Sequence, residues 1–264
     1  MSSSKKVSFQ AFKLLKESRM KKLLVANWKM NKSQKEVADF FSEFNQKFSD
    51  KREAWIAPQT LHLNKALSLT SKNVKVGSQN CSEFLNGAYT GEVSPEALKD
   101  LGAHFVVLGH SERRQYFFET SKGLNAKARS ALGQNLKVIY CVGETLTERE
   151  AGQTLSLIED QLHQGLNDMS AANVDNLIIA YEPVWAIGTG KTATPAQAQE
   201  VHAHIRQVLT SKFPSFGSEL RILYGGSVKP DNVEELLGQK DIDGGLVGGA
   251  SLKARDFLAL CGDK

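Results

Sequence analysis

From Lys21 onward, eight short apolar segments alternate with stretches of helical pattern, and this alternation is what most limits how the chain can fold. The segments are almost continuously apolar, as expected for strands of a parallel sheet that is covered on both faces. The predicted strands are LLVANWK (23–29), AWIAP (54–58), VKVGSQN (74–80), HFVVLGH (104–110), KVIYCVGE (137–144), NLIIAYEP (176–183), RILYGGS (221–227) and GGLVGGA (244–250).

The intervening stretches carry the signals of amphipathic helices. Ser94-Pro95 and Thr194-Pro195 each place a capping side chain before a proline at the first helical position, and AQAQEVHAHIRQVL (196–209) repeats its apolar residues at helical spacing. Strict alternation gives either an open doubly wound sheet or a closed barrel. Eight repeats, a length of 264 residues and no G-x-G-x-x-G motif after the first strand predict a single (β/α)8 barrel of the α/β class.

The net charge of +4 lies in the first 19 residues, and the rest of the chain is balanced. A balanced body argues against nucleic acid or a membrane surface as a partner. We expect residues 1–19 to be a flexible basic extension and residues 20–264 to be the catalytic barrel domain. The Ser-rich extension is compatible with a transit peptide, but an extended or misassigned start before Met20 is preferred. Three widely spaced cysteines and no apolar run of about 20 residues indicate a cytoplasmic protein without disulfides.

Polar residues fall at the predicted carboxyl ends of the strands, where barrels of this kind carry their chemistry. Strand 1 ends in Asn27 and Lys29, two residues apart and therefore expected on one side of the strand. Strand 4 ends in His110 and strand 6 in Glu182. An amide, an amine, an imidazole and a carboxylate are thus predicted to meet at one mouth of the barrel.

Glycine pairs end the last two strands, in Gly225-Gly226-Ser227 and Gly248-Gly249. Glycine leaves backbone N–H groups uncovered, and the loops after strands 7 and 8 often bind phosphate in barrels. Tight turns are the alternative explanation. Gly-Lys-Thr at 190–192 does not form a P-loop, because Trp185 stands where that motif needs its first glycine.

Other polar residues are interpreted as structural. His202 and His204 are two apart on a helix, so their side chains diverge and do not form a metal pair. Cys141 lies within strand 5 and is expected in the core. The pairs and runs of charge at 113–114 and 148–150 are interpreted as solvated charges or local ion pairs. We expect no metal and no cofactor.

Five motifs, ANWKMN (26–31), LGHSERR (108–114), YEPVWAIGTGKTAT (181–194), YGGSV (224–228) and LVGGASL (246–252), together resemble the triosephosphate isomerase family. The resemblance extends from about Lys21 to Gly262 and implies a TIM barrel. The implied reaction interconverts dihydroxyacetone phosphate and D-glyceraldehyde 3-phosphate by proton transfer through an enediolate, a step of glycolysis and gluconeogenesis.

The resemblance also implies the residue roles. Glu182 would be the base, and His110 a neutral imidazole, the form known for this family, that polarises the carbonyl. Lys29 and Asn27 would stabilise the enediolate oxygen and bind substrate, and Glu112 would contact Lys29. Phosphate would be bound by Gly188, Ser227, Gly248 and Gly249. A closing lid, latched by Tyr224 and Ser227, would comprise Pro183, Val184, Trp185, Ala186, Ile187, Gly188, Thr189, Gly190, Lys191, Thr192 and Ala193.

The connection SQNCSEFLNGAYTGEVS (78–94) exceeds the usual 2–6 residues of such a loop and carries Phe84, Leu85 and Tyr89. In the family it inserts into a second subunit, where the residue matching Thr90 approaches Asn27 and Lys29, so a homodimer is predicted. Folding back onto its own barrel is the alternative for this loop.

Two other functions remain open at this point. One is a phosphate-binding barrel enzyme in which Lys29 forms a Schiff base, as in an aldolase. The other is a barrel without catalysis that serves as an interaction scaffold.

Overall fold

Eight parallel strands close into a barrel, as the alternation of the sequence predicts. The computed structural model describes residues 21–169, 175–187 and 192–263. The strands lie in the order β3-β2-β1-β8-β7-β6-β5-β4. Hydrogen bonds between Ser78 and the backbone of Phe105 and Val107 join β3 to β4 and complete the ring. The strands are β1 (Leu23–Asn27), β2 (Glu53–Ala57), β3 (Val74–Val76), β4 (Phe105–Leu108), β5 (Lys137–Val142), β6 (Leu177–Tyr181), β7 (Arg221–Tyr224) and β8 (Gly244–Val247).

Helices follow the strands along the chain and cover the outside of the barrel. Four short 3-10 helices occupy Thr60–His62, Val184–Ala186, Gly217–Glu219 and Gly249–Ser251. The α-helices of the described residues are α1 (Gln34–Lys47), α2 (Leu63–Leu69), α3 (Pro95–Asp100), α4 (Ser111–Tyr116), α5 (Ser121–Gly133), α6 (Leu146–Glu150), α7 (Thr154–Gly165), α8 (Pro195–Lys212), α9 (Val233–Leu237) and α10 (Ala254–Leu260).

The predicted helix starts at the two prolines are confirmed. Ser94 accepts a hydrogen bond from the Ala97 N–H at the start of α3. Thr194 accepts from the Gln197 N–H, and the Gln197 side chain accepts in return from the Thr194 backbone. Such reciprocal caps satisfy backbone donors that the helix itself leaves free, and each stabilises a helix by about 1 kcal/mol.

Alternate residues of each strand point into and out of the barrel. The outward residues join the helices in one large apolar cluster, whereas a second cluster contains strand residues alone. This second cluster fills the barrel and consists of Leu23, Val25, Trp55, Ala57, Phe105, Val107, Ile139, Cys141, Ile178, Ala180, Leu223 and Leu246. Asn27 and Glu182 each follow an inward-facing residue, Val25 and Ala180, by two positions. The same alternation therefore brings both to the end of the barrel where the strands have their carboxyl ends, which we call the carboxyl mouth.

The predicted strands start within one residue of the observed ones, but they run one to four residues too far at their carboxyl ends. The extra residues form the turns at the mouth of the barrel. Lys29 shows why: its φ of 52° is left-handed, so it cannot continue a strand. Within the described residues, no helix combines the length and hydropathy that a bilayer span requires.

Candidate active site

A cavity of about 310 Å³ opens at the carboxyl ends of the strands. Ala186 and Ile187 from the loop after β6 also border it. The predicted site residues that line it are Asn27, Lys29, His110, Ser227, Gly248 and Gly249. Six residues at or just beyond the carboxyl ends of β1, β4, β7 and β8 are therefore brought to one small space.

Glu182 lies immediately behind the wall of this cavity and is almost fully buried, at 2% exposure. Gly225 lines the cavity and also packs against Glu182: a Cβ atom on Gly225 would lie 2.8 Å from Glu182 Cγ. A larger residue at 225 would therefore displace the glutamate. The backbone N–H of Glu182 donates to the Val142 carbonyl at 2.8 Å, which extends the β5–β6 pairing and fixes the Glu182 backbone.

The two oxygens of Glu182 differ in their partners. Oε2 accepts a hydrogen bond of 2.8 Å from the Ser111 N–H, at the first turn of α4. Oε1 lies 3.0 Å from His110 Nε2, but the angles of that contact fall short of a hydrogen bond. A buried carboxylate oxygen without a hydrogen bond is costly. The Ser111 N–H therefore holds one oxygen only, and the Cys141 thiol also lies within reach of the carboxylate.

His110 caps the amino terminus of α4 and is only slightly exposed. Its Nδ1 accepts a hydrogen bond of 3.3 Å from the Glu112 N–H. An accepting Nδ1 carries no proton, so the neutral ring carries its proton on Nε2, the nitrogen that faces Glu182. Protonation of Nδ1 would break the cap and place a positive charge at a helix amino terminus.

Lys29 is placed by three contacts. Its Nζ lies 2.6 Å from Glu112 Oε1, its N–H donates to Asn27 Oδ1 at 3.1 Å, and its carbonyl accepts from Gln79 Nε2 at 2.9 Å. Strand alternation was the wrong argument for pairing Lys29 with Asn27, because the strand ends at Asn27 and Lys29 is left-handed. Both residues nevertheless line the same cavity.

The Gly248-Gly249 pair leaves open space beside the cavity. A Cβ on Gly249 would meet no atom within 4 Å, and one on Gly248 would lie 3.5 Å from Lys29 Cε. The 3-10 helix Gly249–Ser251 begins here, so its first N–H groups have no partner within the helix. Uncovered N–H groups beside a lysine suit an anion.

The first part of the predicted lid is anchored to a fully buried carboxylate. Glu144 Oε1 accepts hydrogen bonds from Trp185 Nε1 at 2.8 Å, from the Tyr181 hydroxyl at 3.1 Å and from Arg149 at 3.2 Å. The Arg149 guanidinium lies 4.6 Å from the centre of a Trp185 ring. Burial, together with the neighbouring Glu144 carboxylate, raises the pKa of Tyr181. Trp185, in the first part of the predicted lid, is thus fixed to the end of β5 through Glu144.

The far end of the predicted lid lies near Tyr224, the last residue of β7. Ala193 is buried, Thr192 is exposed, and Tyr224 is buried. Burial raises the pKa of the Tyr224 hydroxyl to about 12, while the Ala193 backbone acts in the opposite direction. The predicted lid and phosphate residues Gly188, Thr189, Gly190 and Lys191 lie outside the described residues.

Several residues that position the site were not predicted from the sequence: Gln79, Ser111 and Glu144. Glu144 could have been found, because it follows β5 as Glu182 follows β6. The interpretation of Arg114 as a solvated charge or local ion pair was wrong. Its guanidinium donates to the carbonyls of Gly109 and Cys141 at 3.0 Å and so ties the carboxyl ends of β4 and β5 together.

The prediction that Cys141 lies in the core is confirmed, and the two histidines of α8 have different surroundings. His202 is fully buried and His204 is directed toward Glu159. Cys141 lies inside the barrel, and burial raises the pKa of its thiol. All three cysteines are free and buried. In the described ranges, no group of three or more His, Cys, Asp or Glu residues could hold a metal ion.

Comparison with known proteins decides the family. A family profile described as triosephosphate isomerase matches residues 22–264. The chain belongs to the triosephosphate isomerase family. Among its relatives, the triosephosphate isomerase of Chloroherpeton thalassium is 49% identical over 245 residues, 91% of this chain and 97% of that protein. That of Leptospira interrogans is 49% identical over 249 residues, 91% and 100% of the two chains. That of Fusobacterium nucleatum is 46% identical over 246 residues, 91% and 98%.

As a triosephosphate isomerase, the protein interconverts dihydroxyacetone phosphate and D-glyceraldehyde 3-phosphate, a reaction of glycolysis. The chemistry is an intramolecular aldose–ketose isomerisation by proton transfer through an enediolate. Its substrate is a small phosphorylated molecule. The 310 Å³ cavity at the carboxyl mouth is of a suitable size for a three-carbon sugar phosphate.

Proposed function

We propose that Glu182 is the base of this isomerisation and His110 its electrophile. The observation that carries the proposal is the 3.0 Å approach of His110 Nε2 to Glu182 Oε1 beside the cavity. Glu182 would remove the proton from the carbon next to the carbonyl, and the Nε2–H of His110 would donate a hydrogen bond to the carbonyl oxygen. As charge develops on that oxygen, His110 would move protons between the two substrate oxygens.

Glu182 must rotate to perform this role. Its Oε2 is bound to the Ser111 N–H behind Gly225, whereas the substrate space lies in front of Gly225. Because a single backbone N–H holds the carboxylate, little is lost when it turns toward the cavity. Gly225 supplies the space for that movement.

Lys29 and Asn27 would stabilise the enediolate. A positive Nζ and an amide at the edge of a small cavity place fixed charge and dipole beside the developing negative charge. Glu112, 2.6 Å from Nζ, would hold the amine in this orientation. Because the Lys29–Glu112 pair is partly exposed, we assign its importance to positioning rather than to stability.

The phosphate would bind at Ser227, Gly248 and Gly249, with Gly188 supplied by the lid. Residues 183–193 would close over it, latched by Tyr224 and Ser227. Support comes from Ala186 and Ile187, which line the cavity, and from the Ala193 backbone beside Tyr224. Closure would exclude water and hold the enediolate so that its phosphate is not eliminated.

We further propose a cytoplasmic homodimer built on the barrel domain of residues 20–264, with residues 1–19 as an extension. Large apolar side chains are exposed on the loops after β1, β2, β3 and β4, which are neighbouring strands of the closed sheet. Exposed apolar residues gathered on one side of a barrel mark a contact with another protein. Thr90 is exposed on the same long loop, as a contact with the second subunit requires. The exposed set includes Met30, Leu61, Phe84, Leu85, Tyr89, Tyr116, Phe117 and Phe118.

Isotope exchange tests the proposed chemistry. In deuterated water the protein should place deuterium at the carbon of dihydroxyacetone phosphate from which Glu182 removes the proton. Borohydride treatment with the same substrate should trap no covalent adduct at Lys29, and an adduct would favour the Schiff-base alternative.

Deletion of residues 187–190 should slow isomerisation and release methylglyoxal with inorganic phosphate. An unchanged ratio of isomerisation to phosphate elimination would reject the protective role of the lid.

A further inference from the structure

Charged side chains face the inside of the barrel at the amino ends of the strands, opposite the carboxyl mouth. Trp55, Ile139 and Leu223 face inward, so the residues two positions earlier on the same strands also face inward. On β3 the two valines pack outward, which leaves the lysine between them on the inner face. We call this set the amino-end layer, and its charged members are Glu53, Lys75, Lys137 and Arg221.

A cavity of about 370 Å³ opens onto the amino-end layer, and all four charged residues line it. Asp175 and Glu219, from the segments that precede β6 and β7, also line it. The rest of its wall is apolar and consists of Trp55, Leu177, Ile178, Phe216 and Leu220. The inward cluster that fills the barrel separates this cavity from the candidate active site. The two cavities are therefore independent.

Two ammonium groups of the layer have no carboxylate partner. Lys137 Nζ donates only to neutral oxygens, Asn176 Oδ1 at 3.0 Å and the Asp175 carbonyl at 3.5 Å. Lys75 Nζ lies 5.1 Å from the centre of a Trp55 ring, and within the described residues it has no hydrogen bond or ion pair. Both lysines are half-buried, so water compensates their charge only in part.

The remaining pair of the layer does not neutralise these amines. Arg221 Nη2 lies 2.5 Å from Glu53 Oε1, so the carboxylate of the layer is already engaged. Burial lowers the pKa of Lys137, and the positive charges of Lys75 and Arg221 lower it further, against smaller opposite effects of Glu53 and Asp175. The positive charges around the cavity thus repel one another.

We propose that this cavity binds a small organic carboxylate with an apolar body, held between the ammonium groups of Lys75 and Lys137. The carboxylate would supply the negative charge that both amines lack, through charge-assisted hydrogen bonds. The apolar body would cover the wall at Trp55 and Phe216, which an inorganic anion would leave in contact with water. An apolar cavity of this size with a few convergent polar groups is typical of small-molecule sites.

The three tryptophans allow binding here to be distinguished from binding at the active site. Trp55 lines the amino-end cavity, Trp185 Nε1 donates to Glu144 in the first part of the predicted lid, and Trp28 Nε1 donates to the Ser251 carbonyl. The full-length protein is titrated with benzoate, and the three indole N–H signals are followed by two-dimensional NMR. We expect the Trp55 signal to move with a dissociation constant of about 1 mM, a reasonable affinity for so small a ligand, and the Trp28 signal to stay.

Two related probes separate the charge from the apolar body. Benzamide keeps the ring without the negative charge, and acetate keeps the carboxylate without the ring. Both should move the Trp55 signal with an affinity at least about tenfold weaker than that of benzoate. Benzamide binding as tight as benzoate would overturn the role of the lysines, and acetate binding as tight would overturn the role of the apolar wall.

Substitution tests the two lysines directly. Lys75→Met combined with Lys137→Met removes both charges but keeps long side chains, and it should weaken benzoate binding at least about tenfold. The matched control combines Lys35→Met with Lys65→Met, which removes the same net charge from exposed positions on α1 and α2 and should change the affinity less than about twofold. Isomerase turnover should be retained in both double variants, because neither alters the carboxyl mouth.

Three results would overturn the inference. The first is a Trp55 signal that does not move at benzoate concentrations up to about 50 mM. The second is equal binding by the two double variants. The third is movement of the Trp185 signal alone, which would place benzoate at the active site. Retained turnover in each case would separate this failure from a failure of the proposed catalytic roles. The benzamide and acetate titrations use the unsubstituted protein, so they test the proposal whether or not the double variant is stable.

Discussion

The fold holds two carboxylates beside the barrel in different ways. Glu182 lies at the carboxyl ends of the strands, and Asp243 lies at their amino ends. Asp243 Oδ2 accepts from Arg206 at 2.6 Å and from the Ile222 N–H at 2.9 Å. Glu182 is more deeply buried, but a single N–H holds it and Oε1 has no hydrogen bond in the described structure. Asp243 is thus held by two donors on one oxygen, whereas Glu182 keeps a buried oxygen without a hydrogen bond in the described structure. Substitutions at the two ends should therefore separate activity from stability.

Glu182→Gln should produce the largest effect on activity. The amide keeps the size of the side chain but cannot accept a proton from carbon, so we expect kcat to fall about 10³-fold, within the range of general-base catalysis. The free energy of unfolding should stay equal or increase, because a buried charge is removed. A coupled turnover assay and urea unfolding measure the two quantities. Wild-type turnover by this variant would show that Glu182 is not the base.

Lys29→Ala should rank second. Removal of the amine that faces the developing oxyanion should lower kcat about 10²- to 10³-fold. Stability should change by less than about 1 kcal/mol, because the Lys29–Glu112 pair is partly exposed. Lys35→Ala, which removes a lysine from the exposed pair with Asp39, is the matched control and should leave kcat unchanged. Equal kcat in the two variants would contradict the role of Lys29.

Arg206→Ala should give the opposite result at the amino end. Arg206 contacts Asp241 and Asp243 and donates to the carbonyls of Ser218 and Leu220. Removing it takes the charged partner from two largely buried carboxylates, which keep only neutral donors from Ile222 and Gln199, so the free energy of unfolding should fall by about 3 kcal/mol. The kcat of the folded enzyme should stay within about twofold. A variant of normal stability, or one with a large loss of kcat, would break the distinction between the two ends.

The sequence predicted the barrel and most of the cavity for a physical reason. Parallel strands buried on both faces read as apolar runs, so Asn27, His110 and Glu182 stand out where those runs stop. The left-handed backbone of Lys29 could not be predicted in this way, because a lysine carries no signal of positive φ. The contacts of Glu182 with the Ser111 N–H also depend on how α4 meets β6, which no local pattern specifies.

His202, within the packing between α8 and the barrel, should produce the smallest effect and one that depends on pH. Burial lowers its pKa to about 3, although the hydrogen bond from its Nδ1 to the Asp241 carbonyl acts in the opposite direction and Arg206 and Lys22 add a smaller lowering. The unfolded chain, with an ordinary histidine pKa near 6.5, binds a proton below that pH that the folded chain does not. His202 therefore makes the native state lose stability as the pH falls from about 6.5 toward 3, by about 1.4 kcal/mol per pH unit.

His202→Gln should reduce the pH dependence of stability between pH 4.5 and 6 by about 1.4 kcal/mol per pH unit. Between about pH 7.5 and 8.5 the imidazole is neutral in both the folded and the unfolded chain, so the slopes of the two proteins should coincide there and provide the internal control. Urea unfolding gives the free energy of unfolding of both proteins at each pH in the two ranges. Since glutamine replaces a buried ring, the variant is expected to be less stable at every pH, and only the slope carries the argument. Parallel curves throughout the acidic range would mean that His202 is already protonated in the folded protein. In that case the positive charge of buried His202 would need a partner of opposite charge within the fold. Asp241 and Asp243 have such a partner in Arg206, but the described contacts show none for His202.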